Sequence, residues 1–185
     1  FIEKMVAKYP KLLANLPSKD SGVRYRLEGY LFPATYNYGK DTTVKEMIDQ
    51  MLAAMDQNLS PYYETLESKN INVNEVLTLA SLVEKEGATD QDRKDIASVF
   101  YNRLNQDMPL QSNIAILYAE GKLGQKTTLK EDATINTELD SPYNIYKNTG
   151  LMPGPVDNPG VSAIEAAVNP SKTDYLYFVA NVENG

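Results

Sequence analysis

The stretch Asn72-Val73-Asn74-Glu75-Val76-Leu77-Thr78-Leu79-Ala80-Ser81-Leu82-Val83-Glu84-Lys85-Glu86-Gly87 decides how the chain is read. Placed at 100° per residue, Val76, Leu79, Leu82 and Val83 form one apolar arc of a helix. Glu86 follows Leu79 by seven, Leu82 by four and Val83 by three, so it falls inside that arc. Glu84 sits at the edge of the arc beside Leu77 and Ala80, while Ser81 and Lys85 face the other way. A carboxylate on an apolar stripe is an exception to the ordinary pattern of burial. Gly87 is read as the residue that ends the helix, which puts Glu86 in the last turn, at the negative end of the helix dipole. Partial burial and the dipole both oppose ionisation and favour a protonated acid near neutral pH. A glutamate that merely reaches out to solvent from the last turn is the plain alternative on periodicity alone.

Around this helix the pattern is mostly helical. Ile2, Met5, Val6, Tyr9, Leu12, Leu13 and Leu16 recur at helical spacing, interrupted by Pro10. Helices are expected over residues 43–55, from Ser60-Pro61 for a turn or two, and over 89–105. A short one is expected near 113–120 inside an otherwise irregular stretch, 107–160, rich in Pro, Gly, Asn and Thr. So long a connection is the natural place for a substrate groove. Ser162-Ala163-Ile164-Glu165 reads as a capping box opening a last helix that ends at Asn169-Pro170. Aromatic residues 24–38 read as loop or short strands. Tyr175-Leu176-Tyr177-Phe178-Val179-Ala180 reads as a buried strand, which places short strands near 24–38 and 174–181.

Composition narrows the chemistry. The chain has 185 residues, is 42% hydrophobic, and holds 13 tyrosines but no Cys, His or Trp. Without Cys or His, thiol catalysis, Ser-His-Asp triads and His-based metal sites are excluded. Carboxylates, lysines and tyrosines remain for acid–base work. A net charge of −7 argues against nucleic acid as a partner. No run is long enough to cross a bilayer and no signal peptide is visible.

The segment Leu79–Ala88 (LASLVEKEGA) resembles the signature of the endolytic murein transglycosylases of the MltG/YceG family. Further blocks follow in the family's order: Ile96–Leu104, Met108-Pro109-Leu110-Gln111-Ser112-Asn113 and Ser141-Pro142-Tyr143-Asn144-Ile145-Tyr146. Gly150–Val156, Asn158-Pro159-Gly160 and Asn169–Val179 complete the series, and Leu27–Tyr36 precedes it. The resemblance implies an α+β, helix-dominated YceG-like catalytic domain with short strands and a long irregular, groove-forming segment. Residues 1–185 would be one catalytic domain from a longer, membrane-anchored protein, with 1–23 the tail of a preceding module or a linker helix.

The resemblance further implies internal cleavage of peptidoglycan glycan strands between MurNAc and GlcNAc. The ends formed are 1,6-anhydroMurNAc, no cofactor or metal takes part, and Glu86 serves as general acid and then base. The implied location is the cell membrane, with the catalytic domain on the extracytoplasmic face, held by an N-terminal anchor absent from this chain. Cell-wall synthases of the elongation complex are the implied protein partners. Substrate-binding candidates are Gln111, Ser112, Asn113, Tyr143, Asn144, Glu84 and Tyr30, with Phe32 and Tyr36 for further subsites. Each could equally cap a turn or fill the core. Arg93 and Arg103 could meet substrate carboxylates, but ion pairs with Asp90, Asp95 or Asp107 are the simpler expectation. In the family's better-known lytic counterparts Ser or Thr often follows the glutamate; here Gly87 does, so a hydroxyl partner must come from elsewhere. A non-catalytic peptidoglycan-binding scaffold is the main rival reading. A pyridoxal-phosphate lyase is disfavoured, because Lys85 points away from the apolar arc and no Gly-rich phosphate loop precedes a helix.

Overall fold

The computed structural model describes residues 1–124 and 135–179. Its helices are α1 (Ile2–Lys8), α2 (Val44–Leu59), α3 (Tyr63–Ser68), α4 (Val73–Glu86), α5 (Asp90–Asn105), α6 (Asn113–Ala119) and α7 (Val161–Val168), with a 3-10 turn at Ser60–Tyr62. Helices α2, α4 and α5 each begin with a reciprocal capping box, at Thr43/Glu46, Asn72/Glu75 and Thr89/Asp92. Each box satisfies two backbone donors that the first turn leaves open.

Helix α4 is the axis of the molecule. Every residue from Val76 to Val83 is buried, and α5 and α7 pack against it and against each other. Ser81, on the face opposite the apolar arc, is buried too: its hydroxyl donates to the Thr78 carbonyl (2.7 Å) and accepts from the Val156 N–H (3.0 Å). The covering layer on that side is the irregular segment 150–160. Asn158 Oδ1 accepts from the N–H groups of Gly29 (2.7 Å) and Leu31 (3.2 Å), and Asn74 Nδ2 donates to the Pro153 carbonyl (3.1 Å). The N-terminal stretch joins the same core through Met5, Tyr9, Leu12 and Leu13.

The expected strands are absent: no residue among those described is in a strand. In 24–38 the backbone turns instead, with Glu28 N–H bonded to the Tyr25 carbonyl and Tyr30 N–H to the Leu27 carbonyl. The donors that a neighbouring strand would have taken go to Asn158 and to the Met51 carbonyl. Residues 171–179 are extended but run along α5, whose side chains take the carbonyls: Asn102 bonds Thr173 and Tyr175, and Arg103 bonds Leu176. Nor is this segment buried, for Tyr177 is 72% and Val179 95% exposed. Extended, apolar sequence makes a strand only when a partner backbone lies beside it; here the neighbour is a helix. Residues 180 and 181 of that expectation lie outside the described residues.

Two smaller expectations also change. Ser162 and Glu165 form no capping box. Gly160 is the N-cap of α7, Ser162 donates to Asp90, and Glu165 accepts from Tyr62. Gly87 does end α4, but at φ −97°, so left-handed backbone is not its reason. A Cβ there would stand 2.5 Å from Arg93 Cγ and 3.1 Å from Arg93 Cα, and the close α4–α5 turn requires its absence. Among the described residues no helix is long and apolar enough to cross a membrane.

Segment 150–160 is fitted to its neighbours at two sensitive points. Gly29 has φ +91° and a Cβ there would meet Pro155 Cγ at 2.2 Å. Gly29→Ala should therefore cost roughly 2–4 kcal/mol, from left-handed strain plus overpacking. Chemical denaturation checks this, and a loss under about 0.5 kcal/mol would show the contact to be slack. Asp157 lies 3.7 Å from Lys85, yet burial outweighs that half-exposed cation, and Glu84 and Glu28 add repulsion, so its carboxyl is pushed up to about 7. A raised carboxyl is penalised in the folded state once ionised, and the penalty grows from the unfolded pKa near 3.8 up to about 7 and stays above it. Asp157→Asn should then raise Tm at pH 8, with the gain shrinking as pH falls to 4. A loss of Tm at pH 8 would mean that the Lys85 pair outweighs burial.

Candidate functional site

Glu86 is the last residue of α4, half-buried where the enclosed helix emerges. Its Oε1 accepts a hydrogen bond from Ser112 Oγ at 2.8 Å. Burial pushes the Glu86 carboxyl above the ordinary carboxylate range, and the Ser112 hydroxyl partly opposes that by favouring the ionised form. No lysine or arginine among the described residues lies within 4 Å of it. The hydroxyl that the sequence after Glu86 lacks is thus supplied from 26 residues downstream.

Ser112 is fixed by its place in the backbone. It is the N-cap of α6, where its Oγ also accepts from the Ile114 N–H at 3.3 Å. Gln111 before it has φ +57°, a left-handed conformation uncommon for a side chain of this kind. It is held by a bond from its N–H to the Ile145 carbonyl at 3.0 Å. The 137–148 loop behind it is organised by Asn144. That side chain is fully buried, its Nδ2 donating to the carbonyls of Thr137 (2.9 Å) and Leu139 (2.8 Å) while its Oδ1 accepts from the Tyr146 N–H (3.0 Å). Tyr146 in turn donates to Asn113 Oδ1. Its phenol is pushed up by burial first and then by the charge of Glu86, with Arg103 acting in the opposite sense.

In front of Glu86 lies an open cleft of about 400 Å³. Gln111, Asn113, Ile114, Arg103, Tyr177 and Phe178 line it together with Glu86. Glu86, Gln111, Ser112 and Asn113 are therefore brought together as a unit. The remaining candidates lie elsewhere. Tyr143 is buried against the Tyr118 ring, centroids 4.9 Å apart, and Asn144 works inside the loop. Tyr30 is fully buried and donates to Asn74 Oδ1 at 3.0 Å. Glu84 sits one position across the helix end, beside Gly160 and Asp157. Phe32 packs against the core, and Tyr36 stacks on Tyr38 and donates to the Phe32 carbonyl.

Two residues of the cleft escaped the reading of the sequence as site groups. Tyr177 and Phe178 were expected inside a strand. Phe178 does pack edge-to-face on Phe100, at 5.8 Å and 87°, but the alternate residue Tyr177 turns outward. For Arg103 a contact with substrate carboxylates was one reading and an ion pair the simpler one; Arg93 makes an ion pair with Asp90 (3.7 Å), whereas Arg103 makes none among the described residues. The run Tyr-Leu-Tyr-Phe-Val carries the alternation that would have separated an inward from an outward face.

Known proteins resemble this chain along nearly its whole length. The model of the YceG-like family matches residues 2–185. The chain is 69% identical over 185 residues to an endolytic murein transglycosylase of Streptococcus pneumoniae serotype 2 (strain D39 / NCTC 7466), covering 100% of this chain and 34% of that protein. It is 43% identical over 181 residues to one of Bacillus subtilis (strain 168), covering 97% of this chain and 49% of that protein. A 2.6 Å crystal structure of a yceG-like protein from Listeria monocytogenes superposes with a TM-score of 0.85 at 45% identity, over 100% of this chain and 58% of that one. The chain thus spans from about a third to about half the length of these curated relatives. On the match across nearly all of its residues, and on a shared fold, the chain belongs to the YceG-like family.

Proposed function

We propose that this chain is the catalytic part of an endolytic peptidoglycan lytic transglycosylase, with Glu86 as its acid and then its base. One observation carries the reading. Glu86 is a carboxyl raised by burial, opening on a cleft of about 400 Å³, with a hydroxyl donor on one oxygen. Its relatives' names supply the substrate class. Glu86 protonates the glycosidic oxygen between MurNAc and GlcNAc as the C1–O bond breaks. The N-acetyl carbonyl of the muramoyl sugar stabilises the cationic C1. The ionised Glu86 then takes the proton of the C6 hydroxyl, whose oxygen closes on C1 to give the 1,6-anhydro ring. The proton returns to Glu86 and no water is consumed.

A hydrolase of the usual kind needs a second carboxylate across the bond, about 5 to 9.5 Å away. Glu86 is the one carboxylate lining the cleft among the described residues, which favours the substrate-assisted route. Gln111 and Asn113 are the amides placed to orient N-acetyl groups, and the Tyr177 ring offers a sugar-stacking face. In this reading Tyr143 and Asn144 act by holding these groups in place, and Tyr30 serves the core. Anchorage in the cell membrane, with the domain on its outer face, and work beside cell-wall synthases belong to the same proposal.

Two substitutions test it. Glu86→Gln should abolish release of anhydromuramoyl ends from purified glycan strands, by at least about 10³-fold in kcat. Mass spectrometry reads those ends, and cleavage that survives moves the acid elsewhere. Glycan binding without cleavage by either protein would favour the scaffold reading. Ser112→Ala removes the bond that favours ionised Glu86, so the alkaline limb of the kcat/KM profile should move to higher pH. Activity at the optimum should fall roughly tenfold. An unmoved limb would detach Ser112 from the proton's path.

A further inference from the structure

Arg103 is a buried cation without a counter-ion among the described residues. It is 7% exposed, and no carboxylate among the described residues lies within 4 Å of it. Its Nε donates to the Leu176 carbonyl (2.7 Å), and Nη1 donates to the carbonyls of Pro109 (3.1 Å) and Leu110 (2.9 Å). The Tyr177 ring covers one face of the guanidinium, its centroid 4.9 Å from the central carbon. Three of the five N–H donors are thereby used. The two on Nη2 have no acceptor among the described residues, yet Nη2 is not among the atoms sealed from solvent, and Arg103 lines the cleft that holds Glu86. Carbonyls and an aromatic face orient this cation but do not neutralise it. An uncompensated charge in a low-dielectric wall attracts an anionic or strongly polar oxygen from a ligand.

An alternating glycan poses a problem that Glu86 cannot solve. Its two kinds of glycosidic bond are alike in their oxygens and N-acetyl groups. The sugars differ in the lactyl ether on O3 of the muramoyl unit, and selectivity needs a group that reads that difference. We propose that Nη2 of Arg103 binds an oxygen of the lactyl group, and so fixes which sugar of the strand lies over Glu86. The inference rests on the peptidoglycan reading. The oxygen is a carboxylate in strands stripped of peptide and an amide carbonyl where peptide is attached, and the same donor serves both, more strongly the first.

The test is a titration of Glu86→Gln protein carrying ¹⁵N-arginine, followed at the Arg103 side-chain resonances. N-acetylmuramic acid should shift them, its methyl ester should do so with about tenfold weaker affinity, and N-acetylglucosamine should leave them in place. Equal shifts with N-acetylglucosamine, or none with N-acetylmuramic acid, would overturn the proposal. This readout does not depend on cleavage, so an inactive parent protein would count against the enzymatic reading alone. On active protein, Arg103→Lys keeps the charge but loses the fork. It should raise KM for peptide-free strands about tenfold, with a smaller change in kcat, and increase cutting at the other linkage. Unaltered KM and linkage choice in a variant of parental Tm would also overturn it. If the variant melts early, the arginine titration of Glu86→Gln protein decides.

Discussion

The enclosure of α4 is the constraint on which the rest of the molecule depends. A helix buried on every side from Val76 to Val83 must be covered by more than other helices, and the irregular segment 150–160 supplies the missing wall. That wall is tied down by side-chain bonds from Asn158, Asn74 and Ser81 because it has no ladder of its own. Rigid packing along the helix then has one outlet, its C-terminal end, where Glu86 meets the cleft. A carboxyl fixed in this way keeps its position and its burial together, and burial is what lifts its pKa.

Support for Glu86 arrives through the backbone. The left-handed Gln111 turns the chain so that Ser112 can cap α6 and still reach the carboxylate. Such a conformation persists only where surroundings over-determine it. Here they do so through the Ile145 carbonyl and a loop knotted around the buried amide of Asn144. An amide that does not touch a ligand can matter to chemistry in this way.

Charge is distributed with the same economy. The cleft sets one acid, raised by burial, against one cation that has no partner among the described residues. The two form no ion pair with each other, and Tyr146 feels both charges. Direct pairing would hold Glu86 ionised and leave no acid to give. Their separation leaves each free to meet a different part of a substrate.

Much of this was legible in the residues themselves. Helix positions follow from apolar spacing, since it is a local pattern written within a few residues, whereas the one capping box read from the residues, Ser162–Glu165, does not form. The place of Glu86 on the buried arc is also local, and the family signature around it is a property of the string. Three things needed tertiary structure. Extended segments 24–38 and 171–179 are not strands because their neighbours are side chains and a helix. Ser112 finds Glu86 across 26 residues of chain. Arg103 meets carbonyls in place of Asp107. In each case the outcome depends on which groups from distant parts of the chain compete for the same donors and acceptors, and sequence order alone does not carry that information.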